Sequence, residues 1–453
     1  MGRSLLSVEE LPGSYGLPFI GEAPEMFGHH QLFYWKRFGL YGGGHFKTQI
    51  MGMKTVCLIG PDANQFVLKD GADNFSSGMG WSLLKPLLGE GIVLQDEPEH
   101  RRVRKLMYPA FHHQAVAGYF NIIENTVEEF LRDWSGRSPI NLYQELRKFT
   151  LFTSCRLLMG VEAPSEIEKL VLYYSQIADG IKTVIRSDIP ATKFGRAMRA
   201  RRHLEAFLQN IIQKRRQQGG SDSVKDVLGL LLTSTDEEGN RLADSETITQ
   251  SLHLLFGGHE TTAKLLSWVL FELSSHPDWL DKLKEEQKQV LGGEPPSYHG
   301  IKNSPSMNYV IKEIERLYPP IYTIPRGVVR DFEYAGYLIP KGWYVVLSPL
   351  LSHRLTELYL DPHEFQPERF APGREEDKKH PFALIGFGGG AHRCLGYELA
   401  QMQVKIFLST LLNFYGWKIV ADVDSVPEFP QTSKVERTMR FWCERLHPVA
   451  STI

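Results

Sequence analysis

Phe387-Gly388-Gly389-Gly390-Ala391-His392-Arg393-Cys394-Leu395-Gly396 sets one cysteine among glycines, directly after two potential cations. Positive charge beside a thiol lowers its pKa, so the segment predicts a thiolate at neutral pH, fit to bind a metal. Gly390 and Gly396 are expected to take positive φ, which lets the backbone close tightly around the sulfur. A buried structural cysteine near a turn is the plain alternative. The other cysteines, Cys57, Cys155 and Cys443, stand far apart without metal-type pairs. That usage suits a reducing compartment and excludes a disulfide framework or a zinc module.

Outward from this loop, helical periodicity dominates. Phe120, Ile123, Val127, Phe130, Leu131 and Trp134 recur at three- and four-residue spacing, with Gly136 as a stop. A basic helix is expected from about Arg196 to Gln218, ending at Gly219-Gly220. The longest helix is expected from Asp244, read as its N-cap, to Ser275 before His276-Pro277. Apolar residues fall on several of its faces, so its middle should be buried all round. Strand signals cluster at Phe46 to Ile59, a hairpin broken at Gly52, and at Trp343 to Leu347. The expected architecture is mainly α with a small β-rich lobe (about 44–60 and 322–350), in one domain over 1–453. Gly219 to Ser223 and Asp236 to Asn240 read as exposed connectors, not domain linkers.

Composition narrows the function. The chain has 453 residues, 42% hydrophobic, and a net charge of −2, so nothing suggests a nucleic-acid partner. No run of eighteen apolar residues exists, and the start lacks the apolar core of a signal peptide. The chain is expected in the cytoplasm without a transmembrane anchor. The stiff segment Pro12 to Pro18 suits lying on a surface, and peripheral membrane contact stays open.

Three further clusters carry chemistry. Gly257-Gly258-His259-Glu260-Thr261-Thr262 falls in mid-helix, where two glycines cost about 1 kcal/mol each. They would let the helix widen and bring a flat ligand against its backbone. Glu260 and Thr261 beside them form an acid–alcohol pair suited to moving protons, although Thr261 could simply bond back to the preceding turn. Glu313 and Arg316, three apart on one helix, can meet. His100 and Arg104 share a helical face in a basic run that includes Arg101, Arg102 and Lys105. That run could equally be a solvated face or a docking surface for an acidic electron carrier.

The cysteine loop closely resembles the haem-binding loop of the cytochrome P450 family, and the mid-helix motif resembles that family's acid–threonine motif. The resemblance runs from the Pro-rich start to the cysteine helix. It implies the cytochrome P450 fold, haem b as cofactor and Cys394 as the axial ligand of its iron. A thiolate ligand donates electron density that favours O–O cleavage, which points to oxygen chemistry. The resemblance gives Glu260 and Thr261 the delivery of the two protons that dioxygen reduction consumes. It gives His100, Arg104, Arg326 and His392 the haem propionates, with histidine at position 100 where the family often has tryptophan. Glu313, Arg316 and Arg369 (in Pro367-Glu368-Arg369-Phe370) would form a buried structural charge network.

Tyr15 to Glu22, Phe46-Lys47-Thr48 and Gly336 to Trp343 look like the branch of retinoic acid hydroxylases and their cyanobacterial relatives. That implies hydroxylation of an elongated apolar substrate, a retinoid, terpenoid or fatty-acid-like molecule. Pocket candidates are Trp81, Leu84, Leu87, Leu255, Phe256, Ile321, Tyr322, Thr323 and Ile324. The last four are bulkier than the branch's glycine-containing stretch, and no basic residue stands among the pocket segments to meet a carboxylate. No flavin or iron–sulfur module is visible, so the two electrons must come from a separate ferredoxin or flavodoxin type donor with its reductase. The rival readings are a peroxygenase or isomerase on the same scaffold, or a non-catalytic haem or lipophile binder.

Overall fold

The computed structural model describes residues 5–183, 186–217, 226–421, 436 and 438–446. Its longest helix, Asp244–Ser275, has 32 residues and therefore spans about 48 Å. Leu252, Leu255, Leu266, Val269 and Leu270 are all buried, so several faces of its middle are covered, as their distribution along the sequence requires. Ala243, not Asp244, takes the N-cap position. Its N–H donates to the Glu246 carboxylate at 2.7 Å, while Asp244 turns to Arg216. His276-Pro277 ends the helix where a proline ring bars its preceding residue from helical geometry.

Around it pack Phe120–Arg137, Leu142–Met159, Pro164–Ile181, Lys193–Gln217 and Tyr397–Phe414, sharing one apolar core. The first runs through Gly136 and stops only at Ser138, where Pro139 imposes extended backbone. A glycine alone weakens a helix without ending it. The basic helix begins at Lys193, and its expected end at Gly219-Gly220, with the connector to Ser223, lies outside the described residues. Asp236 to Asn240 is an exposed turn held by the Asp236 carboxylate.

The largest sheet of the β-rich part has five strands, β1 (Phe46–Ile50), β2 (Met53–Leu58), β3 (Phe75–Ser76), β4 (Ile324–Val328) and β5 (Tyr344–Leu347), in the order β1-β2-β5-β4-β3. β1 and β2 form a hairpin whose turn residues Met51 and Gly52 both have positive φ, at 50° and 81°. That matches the two-residue turn whose twist suits paired strands. β5 runs parallel to β2 and antiparallel to β4, placing Arg326 opposite Val345. Pro12 and Gly13 lie along β1, where the Lys47 N–H donates to the Pro12 carbonyl at 2.8 Å. Among the described residues no helix is long and apolar enough to cross a membrane.

Candidate active site

A cavity of about 470 Å³ lies between the long helix and the cysteine loop. Trp81, Leu84, Ile92 and Val93 form one wall, Ala178 and Ile181 a second, and Leu254 and Phe256 of the long helix a third. Pro320, Ile321 and Ile324 close a fourth side, and Phe387 to Gly389 with His392 to Gly396 lie at the base.

Cys394 is the only cysteine lining this space, the other three being buried elsewhere. Protein surrounds it, yet its side chain keeps accessible surface because it borders the cavity. Its N–H donates to the Phe387 carbonyl at 2.8 Å, which closes the loop on itself. Gly388 and Gly390 take positive φ, at 72° and 59°, whereas Gly396 sits at −85° as the N-cap of the following helix. Gly390 thus has the expected conformation, and Gly388, not Gly396, supplies the second left-handed position. At Gly390 a Cβ would stand 1.8 Å from the Leu68 carbonyl oxygen, so no side chain fits there.

The charges around the sulfur also differ from expectation. Burial pushes the Cys394 thiol up, against the lowering effect of the Gly396 N–H, Arg104 and Arg393. His392 supplies no positive charge, because burial and neighbouring Arg326 push it down to about 2. Arg104, from another helix, is the second cation. Surrounding charge alone does not make the thiolate; coordination to a metal, which displaces the thiol proton, would complete it.

Beside the cysteine, four nitrogen-bearing side chains meet on the cavity wall. His100 and Arg104 come from the helix Glu99–Met107, Arg326 from β4 and His392 from the cysteine loop. The two imidazoles stack with centroids 3.8 Å apart. Arg326 is 5% exposed, and its guanidinium bonds only the Pro325 carbonyl among the described residues. His100 Nε2 is buried without a partner, and Arg104 forms no ion pair among the described residues. Buried cations without carboxylates are expensive unless an anion meets them. This donor set suits the two propionates of haem b, with the Cys394 sulfur on the same cavity, so the residues present fit the group. The neighbouring Arg101, Arg102 and Lys105 are paired with Glu97, with Glu99 and Glu246, and with Glu237 respectively.

Across the cavity, the helix stays α-helical through Gly257 and Gly258, without the expected widening. The glycines act by omission. A Cβ at Gly257 would meet nothing, whereas one at Gly258 would come within 3.2 Å of Ser154 Oγ on the adjacent helix. Thr261 Oγ1 donates to the Gly257 carbonyl one turn back, at 2.5 Å. Glu260 accepts from the Tyr143 hydroxyl at 2.6 Å and pairs with Arg147 at 3.2 Å and Lys182 at 3.4 Å. Burial alone would raise its pKa, but Lys182, Arg147 and the Tyr143 bond outweigh it and hold the carboxyl at about 2.

Behind the cysteine loop, Glu313 accepts both Arg316 (2.7 Å) and Arg369 (3.1 Å), all three fully buried. Arg369 also pairs with Glu376 at 2.8 Å. The remaining guanidinium hydrogens reach backbone carbonyls of His353, Pro362 and Leu360. Of the pocket candidates, Trp81, Leu84, Phe256, Ile321 and Ile324 line the cavity. Leu87 and Leu255 face the helical core instead, and Tyr322 packs with the aromatic cluster around Phe33 and Tyr34. Thr323 does not reach the cavity lining either. Sequence reasoning missed Tyr143, Arg147 and Lys182 around Glu260, and Tyr174 and His253 among the residues lining the cavity. The i, i+4 spacing of Tyr143 and Arg147 was the one available signal.

The cytochrome P450 family model matches residues 11–440. The chain is 31% identical to a putative cytochrome P450 120 of Synechocystis, covering 90% of this chain and 91% of that protein. It is 30% identical to a sterol 14alpha-demethylase of Mycolicibacterium vanbaalenii, over 83% and 84% of the two chains. The solved structure of a retinoic acid-bound cyanobacterial CYP120A1 superposes with a TM-score of 0.86 at 30% identity, covering 98% of this chain and all of that one. With the thiol, the basic cluster and the acid–alcohol helix arranged on one cavity, the chain belongs to the cytochrome P450 family and is a haem-thiolate monooxygenase.

Proposed function

We propose that this monooxygenase hydroxylates an elongated apolar substrate of retinoid, terpenoid or fatty-acid type, with Cys394 as the axial ligand of haem b. Bound haem supplies reductive activation of O₂ and transfer of one oxygen atom to a C–H bond, the second leaving as water. The observation that carries the reading is the cavity itself. It sets Cys394 and the Gly257–Thr261 segment on one space whose other walls are mostly aliphatic and aromatic. Such walls bind by shape and area and exclude water from the reacting centre. The retinoic acid named with the CYP120A1 structure supports a ligand of this length and polarity.

His100, Arg104, Arg326 and His392 would hold the propionates, fixing the plane of the group against the cysteine loop. Thr261 Oγ1 holds a proton at the opening left by Gly257. Glu260 is ionised, so it relays a proton instead of storing one, while the Tyr143 hydroxyl, which burial keeps protonated, and Lys182 hold its carboxylate in place. The Glu313–Arg316–Arg369 network would keep the segment behind the loop rigid. Two electrons come from a separate protein, which we assign to the ferredoxin or flavodoxin type.

The test is turnover with a surrogate reductase under isotopically labelled dioxygen, with retinoids, terpenes and fatty acids as substrates. One labelled oxygen in a hydroxylated product is expected. Product from peroxide alone, with none from O₂ and reductant, would favour a peroxygenase and overturn the proposal.

A further inference from the structure

Glu315 lies between Glu313 and Arg316 on the helix Pro305–Leu317, yet belongs to neither the charge network nor the proton path. Two residues on from Glu313, it points about 200° round the helix. It is 4% exposed and borders the cavity beside Gly386 and Phe387. A Cβ at Gly386 would stand 2.4 Å from Glu315 Cγ and 2.9 Å from its Oε1, so the carboxylate lies directly against the loop backbone. The Phe387 and Gly386 N–H groups both donate to it. The preceding N–H, that of Ile385, donates to His353 Nε2 at 2.9 Å. Three consecutive backbone donors at the start of the cysteine loop thus hang from two buried side chains. Phe387 then accepts the Cys394 N–H on its carbonyl at 2.8 Å, which joins this anchored segment to the ligand residue.

The charge on Glu315 is not matched by an ion pair among the described residues. Of the cations whose field reaches it, Lys312 is held by Asp377 at 2.6 Å and Arg393 lies over the Tyr397 ring, 4.9 Å from its centroid. Burial pushes the Glu315 pKa up to about 7, with the Phe387 N–H, Lys312 and the Gly386 N–H opposing, so the carboxylate prevails in mildly alkaline solution. An amide oxygen could accept from the loop without the cost of burying a charge. Residues that break such a rule of stability are expected where function needs them. The field of Glu315 opposes that of Arg104 and Arg393 at the Cys394 sulfur. A fixed negative charge beside a metal centre disfavours the addition of an electron. We propose that Glu315 is a positioning residue whose carboxylate anchors the cysteine loop and whose charge lowers the reduction potential of the haem iron. This rests on reading Cys394 as the axial ligand.

The experiment is a spectroelectrochemical titration of the haem-loaded protein at pH 8.5, without substrate. Glu315→Gln keeps the length of the side chain and removes its charge. It should favour the ferrous form about tenfold, a rise of about 59 mV for a one-electron couple. Glu315→Ala should shift the potential in the same direction. Glu315→Asp keeps the charge and should stay within about threefold of wild type. A purely structural anchor predicts the opposite ranking, since glutamine still reaches the loop and aspartate is one methylene shorter.

Equal potentials in wild type and the uncharged variants would overturn the proposal, as would a larger shift in Glu315→Asp than in Glu315→Gln. If Glu315→Gln takes up no haem, Glu315→Ala against Glu315→Asp decides by the same ranking. The carbon monoxide spectrum of each reduced protein reports the cysteine ligation separately. With the thiolate band present, equal potentials overturn the Glu315 assignment alone; a wild type without that band overturns the ligation and this assignment with it.

Discussion

The imidazoles of His100 and His392 lie face to face, their centroids 3.8 Å apart and their planes 27° from parallel. Two protonated rings could not share that contact. Burial lowers the pKa of both, and Arg326 and Arg104 add to the effect, so both are neutral at physiological pH. The positive charge of the cluster therefore rests on the two arginines, while the histidines contribute donors and a flat packing surface.

Replacing Arg326 by leucine should speed loss of haem to an acceptor protein by roughly ten- to a hundredfold, since a charge-assisted bond is worth about 1.5–3 kcal/mol. His100→Leu should have a smaller effect, because it removes a neutral donor. Equal loss rates for both variants and wild type would place the propionates elsewhere.

Glu313 joins two buried guanidinium groups, and its removal strands both. Glu313→Ala is expected to lower the unfolding free energy by about 3–5 kcal/mol, read from urea denaturation. A change below about 1 kcal/mol would mean that water or another group takes over the charge.

Thr261→Ala removes the hydroxyl held over Gly257 while leaving the helix intact. Electron consumption should continue, with product per electron falling several-fold and peroxide rising, at unchanged haem content. Unaltered coupling would remove Thr261 from proton delivery and leave its bond to Gly257 as its whole role.

Glu260 links its pairing to pH with a definite sign. Burial opposes ionisation, but Lys182 and Arg147 prevail and depress the folded-state pKa from 4.5 to about 2. The stabilisation is therefore complete above about 4.5 and fades as pH falls toward 2. The stability gap between wild type and Glu260→Gln should stay constant from neutral pH to about 5 and narrow below that. A gap that widens on acidification would reverse the assignment of charge.

Much of this site was legible in the sequence because its residues sit at short, fixed spacings. Cys394, Gly390 and the Glu313–Arg316 pair belong to local patterns whose geometry follows from a turn or one helical repeat. The long helix was equally readable from its apolar run and its terminal proline. What escaped notice depends on packing between distant segments. Tyr143, Arg147 and Lys182 come from two helices that meet Glu260 only in the folded chain. Leu255 differs from its cavity-lining neighbours Leu254 and Phe256 by one step of helix rotation, which the periodicity alone did not resolve. The same holds for His253, an unremarkable helical histidine until Gly91 is folded against it.

The most direct measurement is the absorption of the dithionite-reduced, haem-loaded protein under carbon monoxide. If Cys394 sulfur binds the iron as thiolate, the Soret band moves to the long-wavelength position peculiar to thiolate-ligated haem, and Cys394→Ser abolishes that band while the chain stays folded. A folded, haem-containing wild type without the displaced band, or a Cys394→Ser protein that keeps it, would contradict the account.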